Sequence, residues 1–266
     1  MSDNLEDSVV FEHLNYEVEG KIAVLTLSRP EVLNAINEAL LMELGLALQL
    51  VEADVEVRVL VVTGEGRAFG AGADIVDLTK INDAFSGREA SLAGQEIMNS
   101  LASTTFPTIA AIDGFALGGA LELALACDLR IASPETRLGF PEVGLGLIPC
   151  YGGTQRLSRL VGLSPALDMI LTGRQITAKE ALQMGLINRI SEEALQTAIE
   201  IANIAARNAP IALGLAKEAV VRGLDVTLDE GLEIEADLFG LATTTDDYRE
   251  GTNAFIEKRN AKFQGE

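Results

Sequence analysis

The order of strand and helix signals along the chain constrains its fold more than any other feature. Short runs rich in β-branched residues alternate with helical patterns through most of the sequence, and from about Glu192 only helical patterns follow. This order predicts an α/β core with an appended helical region that serves packing or self-association. A length of 266 residues exceeds the usual size of one domain, which agrees with a large unit and a smaller one.

Local patterns predict the individual elements. Segment 21–28 alternates as a strand, and Glu19 and Gly20 join it to a hairpin partner at 10–18. Asn37 is the expected N-cap of an amphipathic helix that reaches about Ala53. Further strands are predicted at 57–63, 108–113, 128–132 and 187–190, with a helix at 89–103 and C-terminal helices at 192–207, 211–222, 228–241 and 246–260.

The charge and the cysteine content exclude several classes of protein. Forty acidic and twenty basic residues give a net charge of -20, which repels phosphate backbones and argues against nucleic-acid binding. Only Cys127 and Cys150 are present, without a Cys-x-x-Cys pair. This usage is typical of a reducing compartment and excludes a disulfide framework or a zinc cluster.

No targeting or membrane segment is expected. Segment 1–8 is polar and acidic, unlike the basic and apolar regions of a signal peptide. The most apolar stretches, 57–62 and 116–127, are too short or too interrupted to cross a bilayer. We therefore expect a soluble, cytoplasmic protein that does not enter the membrane.

Most common catalytic groups are missing from the sequence. His13 is the only histidine and no Gly-x-Ser-x-Gly motif occurs, so Ser-His-Asp or Cys-His catalysis lacks its base and zinc lacks ligands. Gly70 and Gly72 follow a predicted strand, but the third glycine of a dinucleotide fingerprint would fall at Ile75. Carboxylates and backbone dipoles remain as candidate chemistry, with no metal and no bound cofactor.

Glu122 lies in an unusual segment, GFALGGALELALACD, which is apolar on all sides after Gly118 and Gly119 and therefore predicts a buried helix. A carboxylate there has either a structural partner, such as a distant arginine, or a role in acid-base chemistry. If the helix begins near Gly119, that glycine and Glu122 lie on one face. The N–H at the helix start would then form half of an oxyanion hole.

Two further segments supply candidate groups. In RAFGAGADIVDL a turn of small residues leads into a predicted helix, and the N–H of Ala73 is the candidate second donor. Taken alone, an ordinary glycine turn capped by Asp74 explains this segment better. In LGFPEVGLGLIPCYGGTQ, Glu142 follows Pro141 on an apolar loop, which favours a raised pKa. A solvated loop glutamate is the alternative.

Together these motifs resemble the crotonase superfamily, and within it the enoyl-CoA hydratases. The resemblance rests on AFGAGADI (68–75), FALGGALELALACDLRIA (115–132), FPEVGLGLIP (140–149) and GGTQRL (152–157). It extends from SRPEVLNAI near the N-terminus to EGTNAFIEKRNAKF near the C-terminus. The motifs stand in the family's order and span nearly the whole chain, so the resemblance is specific.

The resemblance implies a crotonase-like spiral of repeated ββα units at 1–204 and a C-terminal helical region at 205–266 that forms trimers, commonly paired into hexamers. It implies an enoyl-CoA hydratase, which adds water reversibly to a trans-2-enoyl-CoA to give a 3-hydroxyacyl-CoA. The acyl-CoA thioester is then the partner, and coenzyme A enters only as part of the substrate.

The resemblance also implies the roles of individual residues. Ala73 and Gly119 would donate the two N–H groups of the oxyanion hole. Glu122 would orient and deprotonate water, while Glu142 would protonate C2. The residues implied as substrate contacts are Ala71, Asp74, Ile75, Cys150, Phe255 and Lys258.

The sequence departs from the family pattern near the expected coenzyme A site. Glu31 and Val76 stand where many relatives carry lysines close to the nucleotide. Phe255 and Lys258 match C-terminal positions that in relatives reach a neighbouring subunit's coenzyme A. They are therefore the substitute candidates for holding the nucleotide, and an exposed helix face is the alternative for both.

A second departure falls in the catalytic loop, where Cys150 and Tyr151 replace the glycine and small residue often found in relatives. The N–H of Cys150 remains available to hold water, and Tyr151 is expected to narrow the pocket. Two other functions stay open. An enoyl-CoA isomerase would shuttle a proton with Glu142 and leave Glu122 in a secondary role, and another acyl-CoA enzyme of the superfamily belongs to the same alternative. A non-enzymatic, RNA-associated protein is disfavoured by the net charge and the paired glutamates.

Overall fold

The computed structural model describes residues 10–266, so segment 1–8 and the first residues of the expected core lie outside it. The strands are β1 (Leu14–Glu19), β2 (Ile22–Leu27), β3 (Val59–Gly64), β4 (Thr108–Ile112), β5 (Phe115–Leu117), β6 (Leu129–Ala132), β7 (Arg137–Gly139), β8 (Gln175–Thr177) and β9 (Arg189–Ile190). The helices are α1 (Glu38–Ala53), α2 (Ile75–Leu78), α3 (Ala84–Ala102), α4 (Gly119–Ala126), α5 (Gly153–Val161), α6 (Leu163–Thr172), α7 (Ala178–Gln183), α8 (Ala194–Ala205), α9 (Pro210–Gly223), α10 (Leu228–Ala242) and α11 (Asp246–Glu257), with 3-10 helices at Pro30–Val32 and Pro141–Leu145.

The larger sheet has the strand order β1-β2-β3-β4-β6-β9 and contains all six strands predicted from the sequence. β1 and β2 form the predicted antiparallel hairpin, with Glu19 opposite Ile22 and Gly20 at a positive φ of 60° in the turn. The remaining neighbours are parallel. β3 is buried along almost its whole length, which explains its continuous apolar sequence.

A second, smaller sheet, with the order β5-β7-β8, was not among the sequence predictions. Its strands have three residues each, too few for an alternating pattern to be visible. The bridges Gly70 to Ala116 and Ile36 to Ala73 attach two further chain segments beside it. Short pairings of this kind depend on neighbours that are distant in sequence, which local patterns do not reveal.

Successive turns of the chain alternate between the two sheets. β4 in the larger sheet leads to β5 in the smaller one and then to α4, and β6 leads to β7 and then to the 3-10 helix at 141–145 and α5. Each turn adds a parallel strand to the larger sheet beside the previous one. The predicted α/β class and the spiral of ββα units are confirmed.

Apolar cores lie on both faces of the larger sheet. One is formed with α1, α3 and α4 and includes Leu44, Met98 and Leu121. The other is formed with α8, which packs alanines against β3 and β4. The small alanine side chains of α8 allow close approach to the sheet, and α4, which carries Glu122, packs in the core on the opposite face.

Three helix ends show how side chains set the boundaries. Asn37 caps α1 by accepting the N–H of Leu40 at 2.8 Å, as predicted. α3 begins at Ala84 rather than near Glu89, because the Asp83 carboxylate accepts two N–H groups of its first turn. α11 ends at Glu257 rather than Asn260, because Lys258 adopts the left-handed conformation at φ 56°.

The C-terminal helices α8 to α11 follow β9 without another strand in residues 191–266, as the sequence predicted. Several large apolar side chains on and between α9 and α10 are exposed, including Leu224, Leu228 and Phe239. The boundary at 204/205 and the role of this region in oligomer formation stay predictions. None of the helices in residues 10–266 combines the length and apolar character needed to cross a membrane.

Candidate active site

Glu122 lies on α4, a helix that buries all of its residues, and the side chain is only 1% exposed. The predicted buried carboxylate is therefore present. Its Oε1 accepts two main-chain hydrogen bonds, from the N–H of Tyr151 at 2.8 Å and from the N–H of Gly153 at 2.7 Å. No salt bridge reaches Glu122 within the described residues, so main-chain dipoles compensate this carboxylate.

The pKa of Glu122 reflects two opposing influences. Burial raises the pKa of the carboxyl, while the N–H groups of Gly153, Tyr151 and Cys150 and the charge of Arg156 oppose that rise. Burial thus makes ionisation of Glu122 unfavourable, and the main-chain N–H groups reduce that cost. This combination suits a group that must accept a proton during a reaction.

The segment that holds Glu122 is itself held by α3. Ser91 Oγ and Gln95 Nε2 both donate to the carbonyl of Cys150, at 2.7 and 3.0 Å. Arg156 Nη1 donates to the carbonyl of Tyr151 at 3.1 Å, and its Nη2 donates to Asn99 at 2.6 Å. The carbonyl groups of this turn therefore face α3 and Arg156, while its N–H groups face Glu122.

Glu142 lies in the first turn of the 3-10 helix at 141–145, directly after Pro141. Its Oε2 is buried and has no hydrogen-bond partner within the described residues. Burial, with a further contribution from the charge of Glu122, raises the pKa of Glu142 to about 7. The raised pKa was expected from the sequence, and a solvated loop glutamate does not describe this side chain.

Glu142 packs against the start of α4. A Cβ atom added at Gly118 would lie 2.7 Å from Glu142 Oε1, closer than real contacts allow. Gly118 also has a positive φ of 50°, which disfavours any other residue. Glycine at 118 therefore brings the second carboxyl against the turn that leads to Glu122.

The two predicted oxyanion-hole donors lie close to each other. A Cβ atom added at Gly119 would be 3.6 Å from the nitrogen of Ala73. The N–H of Ile36 donates to the carbonyl of Gly72, and the N–H of Asp74 donates to the carbonyl of Ile36. Because Ala73 lies between these two residues, its own N–H points away from Ile36. Neither Ala73 nor Gly119 donates its N–H to an acceptor within residues 10–266. Two N–H groups without an acceptor in the described residues thus lie near each other, next to the glycine that contacts Glu142.

The other predicted substrate contacts have varied surroundings. The N–H of Ala71 donates to Leu33, and Ile75 is 54% exposed at the start of α2. The Asp74 carboxylate caps α2 through Val76 and forms a 3.1 Å ion pair with Arg29, so its side chain is already engaged structurally. The substrate contacts of these residues stay predictions.

Cys150, Phe255 and Lys258 complete the predicted set. Cys150 is half-buried, and burial together with the charges of Glu122 and Glu142 raises the pKa of its thiol to about 12. Phe255 lies on α11 and is 85% exposed, and Lys258 ends the same helix. Both C-terminal residues are accessible in the single chain, and their contact with coenzyme A stays a prediction.

Sequence reasoning missed the residues that hold the turn 150–153. Ser91, Gln95 and Asn99 are spaced by four residues and so share one face of α3. This spacing of polar residues was visible in the sequence, but their target was not. Arg156 was part of the GGTQRL motif, yet no role was assigned to it.

The site can polarise a carbonyl oxygen through two N–H groups and move protons through two carboxyls that lie on one side of it. This arrangement is typical of a class of enzyme that stabilises negative charge on an oxygen atom while protons are transferred. Comparisons with known proteins identify the family within this class.

A sequence model of the family described as "Enoyl-CoA hydratase/isomerase" matches residues 17–266. A short-chain-enoyl-CoA hydratase of Clostridium acetobutylicum is 46% identical over 252 residues, which cover 94% of this chain and 95% of that protein. A crotonyl-CoA hydratase of Syntrophomonas wolfei is 42% identical over 258 residues, with coverages of 96% and 99%.

Solved structures agree with these sequence comparisons. The crystal structure of an enoyl-CoA hydratase from Bacillus anthracis superposes with a TM-score of 0.92 at 39% identity, over 96% of this chain and 100% of that one. The chain belongs to the enoyl-CoA hydratase/isomerase family and has the crotonase fold.

Proposed function

We propose that this protein is an enoyl-CoA hydratase that adds water reversibly to a trans-2-enoyl-CoA. One observation carries the proposal: the buried Glu122 and the half-buried Glu142, whose Oε2 is buried, lie near a pair of N–H groups that have no acceptor within the described residues. Hydration needs one group to accept a proton from water and another to donate a proton to carbon, and the two carboxyls supply both.

The N–H groups of Ala73 and Gly119 are proposed to bind the thioester oxygen. As water adds at C3, electrons of the C2=C3 double bond move towards that oxygen and give an enolate. Preorganised donors stabilise such charge, and removal of one donor elsewhere costs on the order of a hundredfold to a thousandfold in kcat. Gly119 contributes additionally through its place at the first turn of α4.

Glu122 is proposed to orient and deprotonate the water. Its Oε1 is fixed by Tyr151 and Gly153, so the carboxylate has one orientation in which Oε2 is the oxygen offered to a ligand. The hydroxyl of the water forms the new bond to C3, and the released proton goes to Glu122. The N–H bonds favour the ionised form of Glu122 and so oppose the rise in its pKa that burial causes.

Glu142 is proposed to protonate C2. With a pKa of about 7 it holds a proton in a large fraction of molecules near neutral pH. That proton forms the new C2–H bond as the enolate collapses, leaving Glu142 ionised. A proton then passes from Glu122 to Glu142, directly or through solvent, and dehydration follows the same steps in reverse.

Identification of the product tests this reaction. Incubation with crotonyl-CoA in water enriched in oxygen-18 should give 3-hydroxybutyryl-CoA that carries the label on C3. Loss of the conjugated thioester absorbance without incorporation of water would contradict hydration and require another reaction of the double bond.

An enoyl-CoA isomerase is the second candidate, because Glu142 alone has the pKa expected of a group that shuttles a proton between carbons. The family description includes isomerases. A 3-enoyl-CoA converted to the 2-enoyl isomer, with no turnover of crotonyl-CoA, would favour this candidate. The net charge of -20 gives no support to an RNA-binding role.

We further propose that the chain forms trimers or pairs of trimers through its C-terminal helices at 205–266. The exposed apolar side chains of Leu224, Leu228 and Phe239 support this. Light scattering should give a mass of three or six times 28.2 kDa, and a monomer would contradict it.

The proposed reaction requires no cofactor besides the coenzyme A of the substrate. Two free cysteines support a reducing, cytoplasmic location.

A further inference from the structure

The ring of Tyr151 lies between two glycines on different helices. One ring edge contacts α3, where a Cβ atom at Gly94 would fall 2.0 Å from Cδ1 and 2.2 Å from Cε1. The opposite edge contacts α4, where a Cβ atom at Gly119 would fall 3.2 Å from both Cδ2 and Cε2. The ring therefore spans the gap between α3 and α4 and leaves the side chain only 7% exposed.

Gly94 has no other evident reason to be glycine. It lies in the interior of α3 with ordinary helical geometry, where glycine costs about 1 kcal/mol relative to alanine. A side chain there would overlap the Tyr151 ring by more than 1 Å. Gly94 and Tyr151 are therefore complementary, and the large residue in the catalytic loop is accommodated by the missing side chain on α3.

The contact with Gly119 places the ring next to the N–H group that is proposed to bind the thioester oxygen. A thioester oxygen bound by the Gly119 N–H lies about 2.9 Å from that nitrogen. The acyl carbon bonded to that oxygen then lies close to Gly119, and the Tyr151 ring contacts the same glycine. The N–H of Tyr151 meanwhile donates to Glu122, so one residue both orients the proposed base and borders the acyl chain.

Burial is the main cause that raises the pKa of the Tyr151 hydroxyl, and the charges of Cys150, Glu122 and Asp77 raise it further. The hydroxyl makes no hydrogen bond within the described residues. The ring, in contrast, fills the gap between α3 and α4.

We propose that Tyr151, whose ring packs on Gly94, forms the wall of the acyl site that determines specificity and restricts the substrate to short 2-enoyl chains. The inference rests on the proposed hydratase function. A chain that continues beyond the reacting carbons meets the ring, whereas the crotonyl group ends before it. Removal of the ring should open the gap between α3 and α4 to longer chains.

The test compares kcat/KM for crotonyl-CoA and for trans-2-octenoyl-CoA. In Tyr151→Ala the ratio of octenoyl to crotonyl activity should rise at least about tenfold over wild type, the scale on which pocket size discriminates apolar groups. Tyr151→Phe keeps the ring and should leave the ratio within about twofold. An unchanged ratio in Tyr151→Ala, or a shift in Tyr151→Phe as large as in the alanine variant, would overturn the inference.

A double-mutant cycle tests the contact between the Tyr151 ring and Gly94 without an activity assay. Gly94→Ala should lower Tm in the wild-type background and cost much less, or stabilise α3, in the Tyr151→Ala background. Equal effects in both backgrounds would show that the ring does not lie on Gly94. If Tyr151→Ala does not fold, Tyr151→Leu should shift the ratio in the same direction. A folded wild type that hydrates neither thioester would refute the proposed function, and this inference with it.

Discussion

The main-chain N–H of Gly153 donates a 2.7 Å hydrogen bond to Oε1 of Glu122, and the absence of a side chain at 153 makes this contact possible. A Cβ atom there would lie 2.8 Å from Oε1 and 2.9 Å from Cγ of the same glutamate. Gly153→Ala should therefore displace the carboxylate and lower kcat at least about tenfold. Gly240→Ala, in α10 with no atom of residues 10–266 within 4 Å of its added methyl, is the matched control and should retain wild-type kcat. Equal activity of both variants would contradict the proposed placement of Glu122.

The pH dependence of kcat/KM should reveal one proton shared by Glu122 and Glu142. The reactive pair carries a single proton, on Glu142 before hydration and on Glu122 after it. Activity should fall as pH rises through about 7, because Glu142 then loses its proton. Hydration and dehydration should decline by the same factor, since the overall reaction neither takes up nor releases a proton. An alkaline limb that persists unchanged in Glu142→Gln would assign it to another group.

The stability of the protein should depend on the ionisation of Glu142. Its pKa is raised from the ordinary 4.5 to about 7 in the folded state. The unfolded chain therefore loses this proton first, and stability is lost as pH rises from about 4.5 to about 7. Glu142→Gln cannot ionise, so its advantage in free energy of unfolding over wild type should grow across this interval and then remain constant. Denaturant unfolding at several pH values measures this difference.

The bond from Ser91 to the Cys150 carbonyl should matter for turnover more than for stability. Ser91→Ala removes a 2.7 Å hydrogen bond that holds the turn 150–153, at a cost of about 1 kcal/mol. The N–H groups that orient Glu122 become less fixed, so kcat should fall several-fold with KM little changed. Ser100→Ala on the same helix loses only a bond to the preceding turn and is the control. Equal kcat values would show that the bond does not position the turn.

Much of the framework of this fold could be predicted from the sequence. The parallel strands are apolar runs long enough to recognise, and Asn37 and the C-terminal helices follow local rules. Glu122 was identifiable because burying a charged residue in a helix that is apolar on all sides costs free energy, and such a residue is therefore expected to have a partner or a function. These features depend on residues close together in the sequence.

The features that were missed depend on residues far apart in the sequence. The smaller sheet is built from three-residue strands that are strands only because of their neighbours. Ser91 and Gln95 precede the carbonyl they bind by more than fifty residues, and no local pattern indicates that target. Gly94 is similarly explained only by its contact with the ring of Tyr151, which lies 57 positions further along the sequence.

The most direct test of the two-carboxylate account is kcat for crotonyl-CoA in wild type, Glu122→Gln and Glu142→Gln, with thioester binding measured on the same samples. The account predicts that both variants bind the thioester and lose at least about a hundredfold in kcat. A variant that binds and turns over near the wild-type rate would show that its glutamate does not transfer the proton assigned to it. In that case the proposed mechanism, in which this pair of carboxyls carries out the hydration, would be wrong.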